Sequence, residues 1–252
     1  VTVPLVLTDD GEPCWQPPAA TRALADEPAA ATRALDPGDD LDHLSAARRL
    51  LVHENVCDDG ARVLGRVVTA ATRATSPGAA HTMAQARSAF AVAEAFDDRV
   101  PPAPGLAPAL ARMLADYEAD TVRDFRMLGL DEARGPAATP AAEARHNPVG
   151  GLWIGSLAAP NDAHALFRYD RAVSVEWLVR ELAASPEAFA VLHDSARAYF
   201  AHYLERLTSA GAAPEGPGTD HDADAGDPME RANDTLRDIG AAFGQLMGYR
   251  TL

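Results

Sequence analysis

An all-α fold is what this sequence predicts, and three observations predict it. Apolar residues recur at three- and four-residue spacing through most of the chain, period-two alternation is nearly absent, and breaks bearing proline or glycine cut the periodic stretches into helix-length pieces. The expected architecture is a single helical domain over residues 1–252, with about seven to nine helices and an irregular N-terminal arm.

Residues 1–20 read as an extended arm, with a short edge strand interrupted at Pro4 and a turn at Asp9-Asp10-Gly11. A weak duplication, Thr21-Arg22-Ala23-Leu24 and Thr32-Arg33-Ala34-Leu35, predicts two short helical turns. From Asp40 to Arg73 the spacing predicts two helices separated at Asp58-Asp59-Gly60. Thr75-Ser76-Pro77-Gly78 precedes an alanine-rich helix from about Ala79 to Phe96, which the Pro101-Pro102-Ala103-Pro104-Gly105 cluster closes. One continuous helix is predicted from Leu106 to Leu128.

Residues 129–162 are rich in Gly, Pro and Ala and read as an ordered, site-lining loop around Leu152-Trp153-Ile154. Helices are then predicted at Ala163 to Leu182, Pro186 to Thr208 and Pro228 to Met247, while 211–227 reads as a mobile acidic loop. The clearest of these helices opens at Ser185-Pro186-Glu187, an N-cap serine followed by proline at the first helical position, and stops at Ser209-Ala210-Gly211. At about 100° per residue, Phe189, Leu192, Ala196, Tyr199, Phe200, Tyr203, Leu204 and Leu207 form one stripe; His193 lies roughly 60° from its centre and His202 near its edge. His193 is therefore expected to face inward.

Composition removes several functional classes. The 37 acidic residues outnumber 22 basic ones, giving a formal charge of −15 that is unsuited to tracking a phosphate backbone, so no nucleic-acid partner is expected. Every basic residue is arginine, which excludes Schiff-base chemistry, a pyridoxal phosphate anchor and the lysine of a phosphate-binding loop. No apolar run reaches transmembrane length and the first ten residues carry no basic leader, so no membrane partner and a cytoplasmic location are expected. Cys14 and Cys57 cannot form a thiolate metal cage; a disulfide between them is neither required nor excluded, and both read as reduced thiols.

Candidate chemistry centres on imidazoles. Asp220-x-Asp222-x-Asp224-x-Gly226 departs from a calcium loop, with its glycine one place late and Arg231 at the twelfth position. His53 and Cys57 would share a helical face four residues apart, with His43 upstream, yet one imidazole and one thiol do not close a tetrahedral zinc site. A single Glu-x-x-His, Glu143 to His146, falls short of a di-iron pair. No Gly-x-Ser-x-Gly elbow is present to carry a hydrolase triad. His81, His146, His164, His193 and His202 remain, scattered over separate segments, and with an apolar pocket they suit heme, which needs a neutral imidazole on iron and a greasy slot. Arg126, at the end of a predicted helix, is the candidate for a substrate carboxylate.

With these residues in place, the chain resembles, in order rather than in sequence, the heme-dependent aromatic oxygenases, the all-α group containing tryptophan 2,3-dioxygenase and bacterial heme-dependent tyrosine hydroxylases. The residues that carry the resemblance are His81, the pair Phe125-Arg126 before a glycine-rich loop, and His193 on a later helix. The resemblance implies His193 as proximal iron ligand, His81 on the substrate face, Arg126 on the amino-acid carboxylate, and Phe125, Trp153 and Tyr199 as aromatic walls around heme. Where tryptophan dioxygenases carry Ser-Gly-Phe-Gln-Ser, this chain has Leu128-Gly129-Leu130-Asp131-Glu132. The implied activity is therefore a heme-dependent monooxygenase acting on a small aromatic substrate, such as tyrosine, in secondary metabolism, with room for a homodimer. Two alternatives stay open: a metal-free helical binding or cyclase protein that shapes a hydrophobic intermediate, and a non-heme iron helical oxygenase.

Overall fold

The computed structural model describes residues 5–7, 13–38, 43–74, 79–96, 100–125, 139–140, 163–165, 175–210 and 228–250. The fold is all-α, with ten helices among the described residues. A hairpin of β1 (Leu5–Leu7) and β2 (Pro13–Trp15) comes first. Then follow α1 (Ala19–Leu24), α2 (Pro28–Leu35), α3 (Leu44–Leu51), α4 (Asp58–Thr72), α5 (Met83–Ala95), α6 (Ala107–Asp116) and α7 (Glu118–Phe125). Two-residue strands β3 (Thr139–Pro140) and β4 (Ala163–His164) pair antiparallel, and α8 (Val175–Ala183), α9 (Pro186–Ala210) and α10 (Pro228–Arg250) complete the order.

One hydrophobic cluster runs from Trp15 to Leu246. Its centre is α4, which touches α1, α2, α5 and α6, and α5, where Ala89, Phe90, Ala91 and Val92 are consecutively buried. A helix buried around most of its circumference belongs in an interior, and α5, with eight of its thirteen residues buried, occupies one. α4 approaches α6 closely because Gly65 has no side chain: a Cβ there would lie 3.0 Å from that of Ala109. α6 then joins the two halves, packing on α4 with one side and on α9 with another.

Several boundaries follow local chemistry. Thr82 caps α5 in a reciprocal box with Gln85, and Ser185 accepts from Ala188 N at the start of α9. The arm strand expected near Pro4 is present, paired with β2. The break expected at Asp58-Asp59-Gly60 lies instead at 52–57; the two aspartates occupy the first turn of α4, where the helix dipole favours acids. His53 and Cys57 therefore do not share a helical face. The helix expected to begin at Ala163 is also corrected, since Ala163–His164 is the strand partner of Thr139–Pro140 and the helix starts at Val175.

The reading of both cysteines as reduced thiols is overturned, because Cys14 and Cys57 form a disulfide with Cα atoms 5.0 Å apart. The backbone brings them together: Trp15 N donates to Asn55 O at 2.7 Å and Cys57 N donates to Trp15 O at 3.0 Å, so their neighbours are already paired. Trp15 also stacks on His53, with ring centroids 3.6 Å apart. Burial lowers the affinity of His53 for a proton, against a bond to Leu50 O. A cross-link spanning 43 positions removes loop entropy from the unfolded chain worth about 4 kcal/mol.

The outcome expected for Cys14→Ser is a loss of roughly 2–4 kcal/mol in denaturant unfolding, with helical content kept. Wild-type protein, denatured without reductant, should take up no alkylating reagent. Uptake of two alkyl groups would refute the bond.

Candidate functional site

Polar side chains are concentrated where α6 turns into α7. A single helix was expected from Leu106 to Leu128, but the chain leaves helical geometry at Tyr117 (φ −106°, ψ 43°). Side chains on both sides of that break bind distant segments. Asp116 Oδ2 lies 2.9 Å from His81 Nε2 and 3.6 Å from Arg73 Nε. The Tyr117 hydroxyl donates to Thr72 O at 2.9 Å, and Thr121 Oγ1 donates to Leu114 O at 2.8 Å. Asp120 accepts from Ala165 N at 3.0 Å. Glu118 Oε2 lies 2.5 Å from Ser195 Oγ on α9. The acids at 116, 118 and 120 thus hold the α4 to α5 connection, α9 and the end of β4.

Their ionisation differs. Burial raises the Asp116 carboxyl, but the His81 bond and the charges of His81 and Arg73 outweigh it, and its pKa falls below the usual range. Glu118 has no such compensation. Complete burial, opposed only by the Ser195 bond, pushes its pKa up to about 8, so it is neutral at pH 7. Ser195 Oγ donates to Glu118 Oε2 and lies 3.4 Å from Ala115 O as well.

His81 belongs to this corner. Its side chain is 3% exposed, its Nε2 is engaged with Asp116, and its ring lies 4.3 Å from that of Tyr117. His193 lies elsewhere, in the seam between α9 and α10. Its side chain is 26% exposed, on the flank of the buried stripe formed by Ala188, Leu192 and Tyr199. The ring centroid is 5.8 Å from that of Phe189 and 5.2 Å from that of Phe243. Nδ1 approaches Asp194 Oδ1 at 3.3 Å; donation there leaves the lone pair on Nε2, which has no hydrogen-bond partner among the described residues. His81 and His193 contact different elements and are not brought together by the described contacts.

Tyr199 is a core residue at 9% exposure. Phe125 ends α7 with its side chain outside the described residues, where Arg126, Trp153, His146 and the acidic loop also fall. The side chains of His164 and His202 lie outside them as well; His43 is an exposed residue preceding α3. Among the described residues, no three His, Cys, Asp or Glu side chains gather as a metal site.

Sequence reasoning overlooked Asp116, Glu118, Asp120 and Ser195. A signal existed: acids at 116, 118 and 120 sit at period two inside a helical stretch. At about 100° per residue, the middle one points away from the other two. One helix cannot keep all three in water while burying the flanking apolar residues, so an acid must be buried or the helix must break. Both occur.

Glu118 gives stability a definite pH dependence. An unfolded carboxyl titrates near 4.5 and the folded one near 8, so stability is complete below pH 4.5 and declines as pH rises, with the loss complete above about 8. The cost at pH 7 is roughly 3 kcal/mol. Glu118→Gln keeps an acceptor for Ser195 without an ionisable proton, so its denaturant midpoint should exceed wild type at pH 8 and vary less between pH 5 and 8. An identical slope in the variant would place the titration elsewhere.

No family model, curated protein or solved structure matches the chain, so its functional assignment rests on the geometry of its own residues.

Proposed function

We propose that the chain is a helical binding domain that holds a flat aromatic ligand at the α9 to α10 seam, with His193 as the polar contact. The observation that carries this reading is the His193 ring lying close to both Phe189 and Phe243, with Nδ1 3.3 Å from the Asp194 carboxylate and Nε2 without a hydrogen-bond partner among the described residues. Aromatic side chains supply ring contacts, and an imidazole oriented through Nδ1 is a directional ligand.

Heme is the flat ligand that this donor chemistry favours. His193 is the residue that would hold its iron, because a carboxylate at Nδ1 would raise the basicity of Nε2. His81 does not suit the substrate face, since Asp116 and Tyr117 already occupy it. Bound heme would supply oxygen chemistry on a small aromatic substrate, and the domain would then be a heme-dependent oxygenase. The part assigned to this chain is narrower: His193 holds, Phe189 and Phe243 flank, and Asp194 orients.

The metal-free reading draws on the buried state of His81 and Tyr199, which serve the interior. In that form the same seam binds an aromatic molecule without iron. We also assign the domain to oxidising surroundings rather than the cytoplasm expected from its sequence, because the Cys14–Cys57 bond persists there. Among the described residues no helix is long and apolar enough to cross a membrane.

Titration with hemin tests the assignment. Wild type should develop an intense Soret band that saturates at one equivalent, and His193→Ala should lose it while keeping its helical circular dichroism. Saturable binding of an aromatic molecule without a Soret band would select the metal-free form. A band unchanged by His193→Ala would remove the residue from ligation.

A further inference from the structure

We propose that the Glu118 carboxyl is the trigger of an alkaline switch: its ionisation frees α9 from the corner between α6 and α7. The geometry isolates this acid. Glu118 is 7% exposed, its Oε2 accepts from the Ser195 hydroxyl, and its Oε1 has no hydrogen-bond partner among the described residues. A buried carboxylate needs several donors or a cation in place of the water it has lost, and one neutral hydroxyl is neither. The uncharged acid is tolerated there; the charged one is not.

The charges on the surrounding helices do not relieve it. α7 packs against α6, α8, α9 and α10, and no cation contacts the Glu118 carboxyl among their described residues. At the end of α6, Asp116 carries the same sign and is turned to His81 and Arg73, while Arg112 is exposed and paired with Glu187 of α9. Asp120, on α7 itself, is a second like charge. Elsewhere on α9, Asp194 is exposed beside His193, and Arg197 is exposed two residues beyond Ser195. Glu176 of α8 is bonded to Tyr249 and Gln245 of α10, Arg180 pairs with Glu181, and Arg237 and Arg250 of α10 are exposed.

An ionised Glu118 therefore gains solvation only if a packed helix moves. α7 is anchored on several sides, through the Tyr117 hydroxyl on Thr72 O, Thr121 on Leu114 O and Asp120 on Ala165 N. α9 is the helix that yields. Its first turn is fixed by the short connection from α8, where Ser185 N donates to Leu182 O, and by the Arg112 to Glu187 pair, so the helix pivots there and the segment around Ser195 swings outward. Burial pushes the Glu118 pKa up to about 8, which places the closed form at neutral pH and the open form above it.

Hydrogen exchange followed by mass spectrometry tests the switch, with wild type, Glu118→Gln and Ser195→Ala each compared at matched pH. At pH 9, one unit above the midpoint, α9 amides near Ser195 should exchange about tenfold faster in wild type than in Glu118→Gln, and the two should agree at pH 6. Peptides of α4 and α5 should not follow. The serine bond favours the ionised acid, so Ser195→Ala should move the opening of α9 to higher pH. Equal α9 exchange in wild type and Glu118→Gln at pH 9 overturns the inference, as does an α4 that loosens in step with α9. If Glu118→Gln does not fold, the other two proteins decide: α9 exchange that rises only with the base-catalysed chemical rate, or a midpoint unmoved by Ser195→Ala, overturns it equally.

Discussion

The break at Tyr117 is the constraint on which the rest of the arrangement depends. Three acids and a tyrosine at the α6 to α7 corner reach four separate parts of the chain: the end of α4, the approach to α5, the end of β4 and the middle of α9. Each bond is modest alone, since folding exchanges it for a bond to water. Their placement matters more than their sum. A helix continuing through 117 would turn Glu118 and Asp120 to other faces, and the buried partners would lose their acceptors.

The corner also bears on the α9 to α10 seam. Ser195 and His193 are two residues apart on α9, about 200° around the helix, so the serine faces α6 and α7 while the imidazole faces α10. The Ser195 to Glu118 bond keys α9 in rotation and in height. The position of His193 against Phe243 follows from that keying together with the Tyr249 and Gln245 bonds that anchor α10 on α8. The surface ion pair of Arg112 with Glu187, both well exposed, adds little to it.

Much of the helical plan was legible because it rests on local rules. The period of Leu64, Val67, Val68 and Ala71 and the serine and proline opening α9 each act within one or two turns. The failures are non-local. Thr72, 45 residues before Tyr117, supplies the carbonyl that helps define the corner, and Cys57 meets Cys14 across 43 positions. Ala163 and His164 satisfy their backbone by pairing with Thr139 and Pro140, a solution that helix propensity does not encode. Of the candidate site, helical spacing placed His193 on the flank of its helix's apolar stripe; Phe243, its neighbour from another helix, was not legible, because periodicity orients one helix and says nothing of which helix packs against it.

The most direct test of this account is the protonation state of Glu118, read from the carboxylic acid C=O stretch in infrared difference spectra between wild type and Glu118→Gln. A protonated-carboxyl band present at pH 7, absent in the variant and fading as pH passes about 8, is the predicted result. A Glu118 signal already in its carboxylate form at pH 6 would contradict the buried neutral acid and the keying of α9 that depends on it.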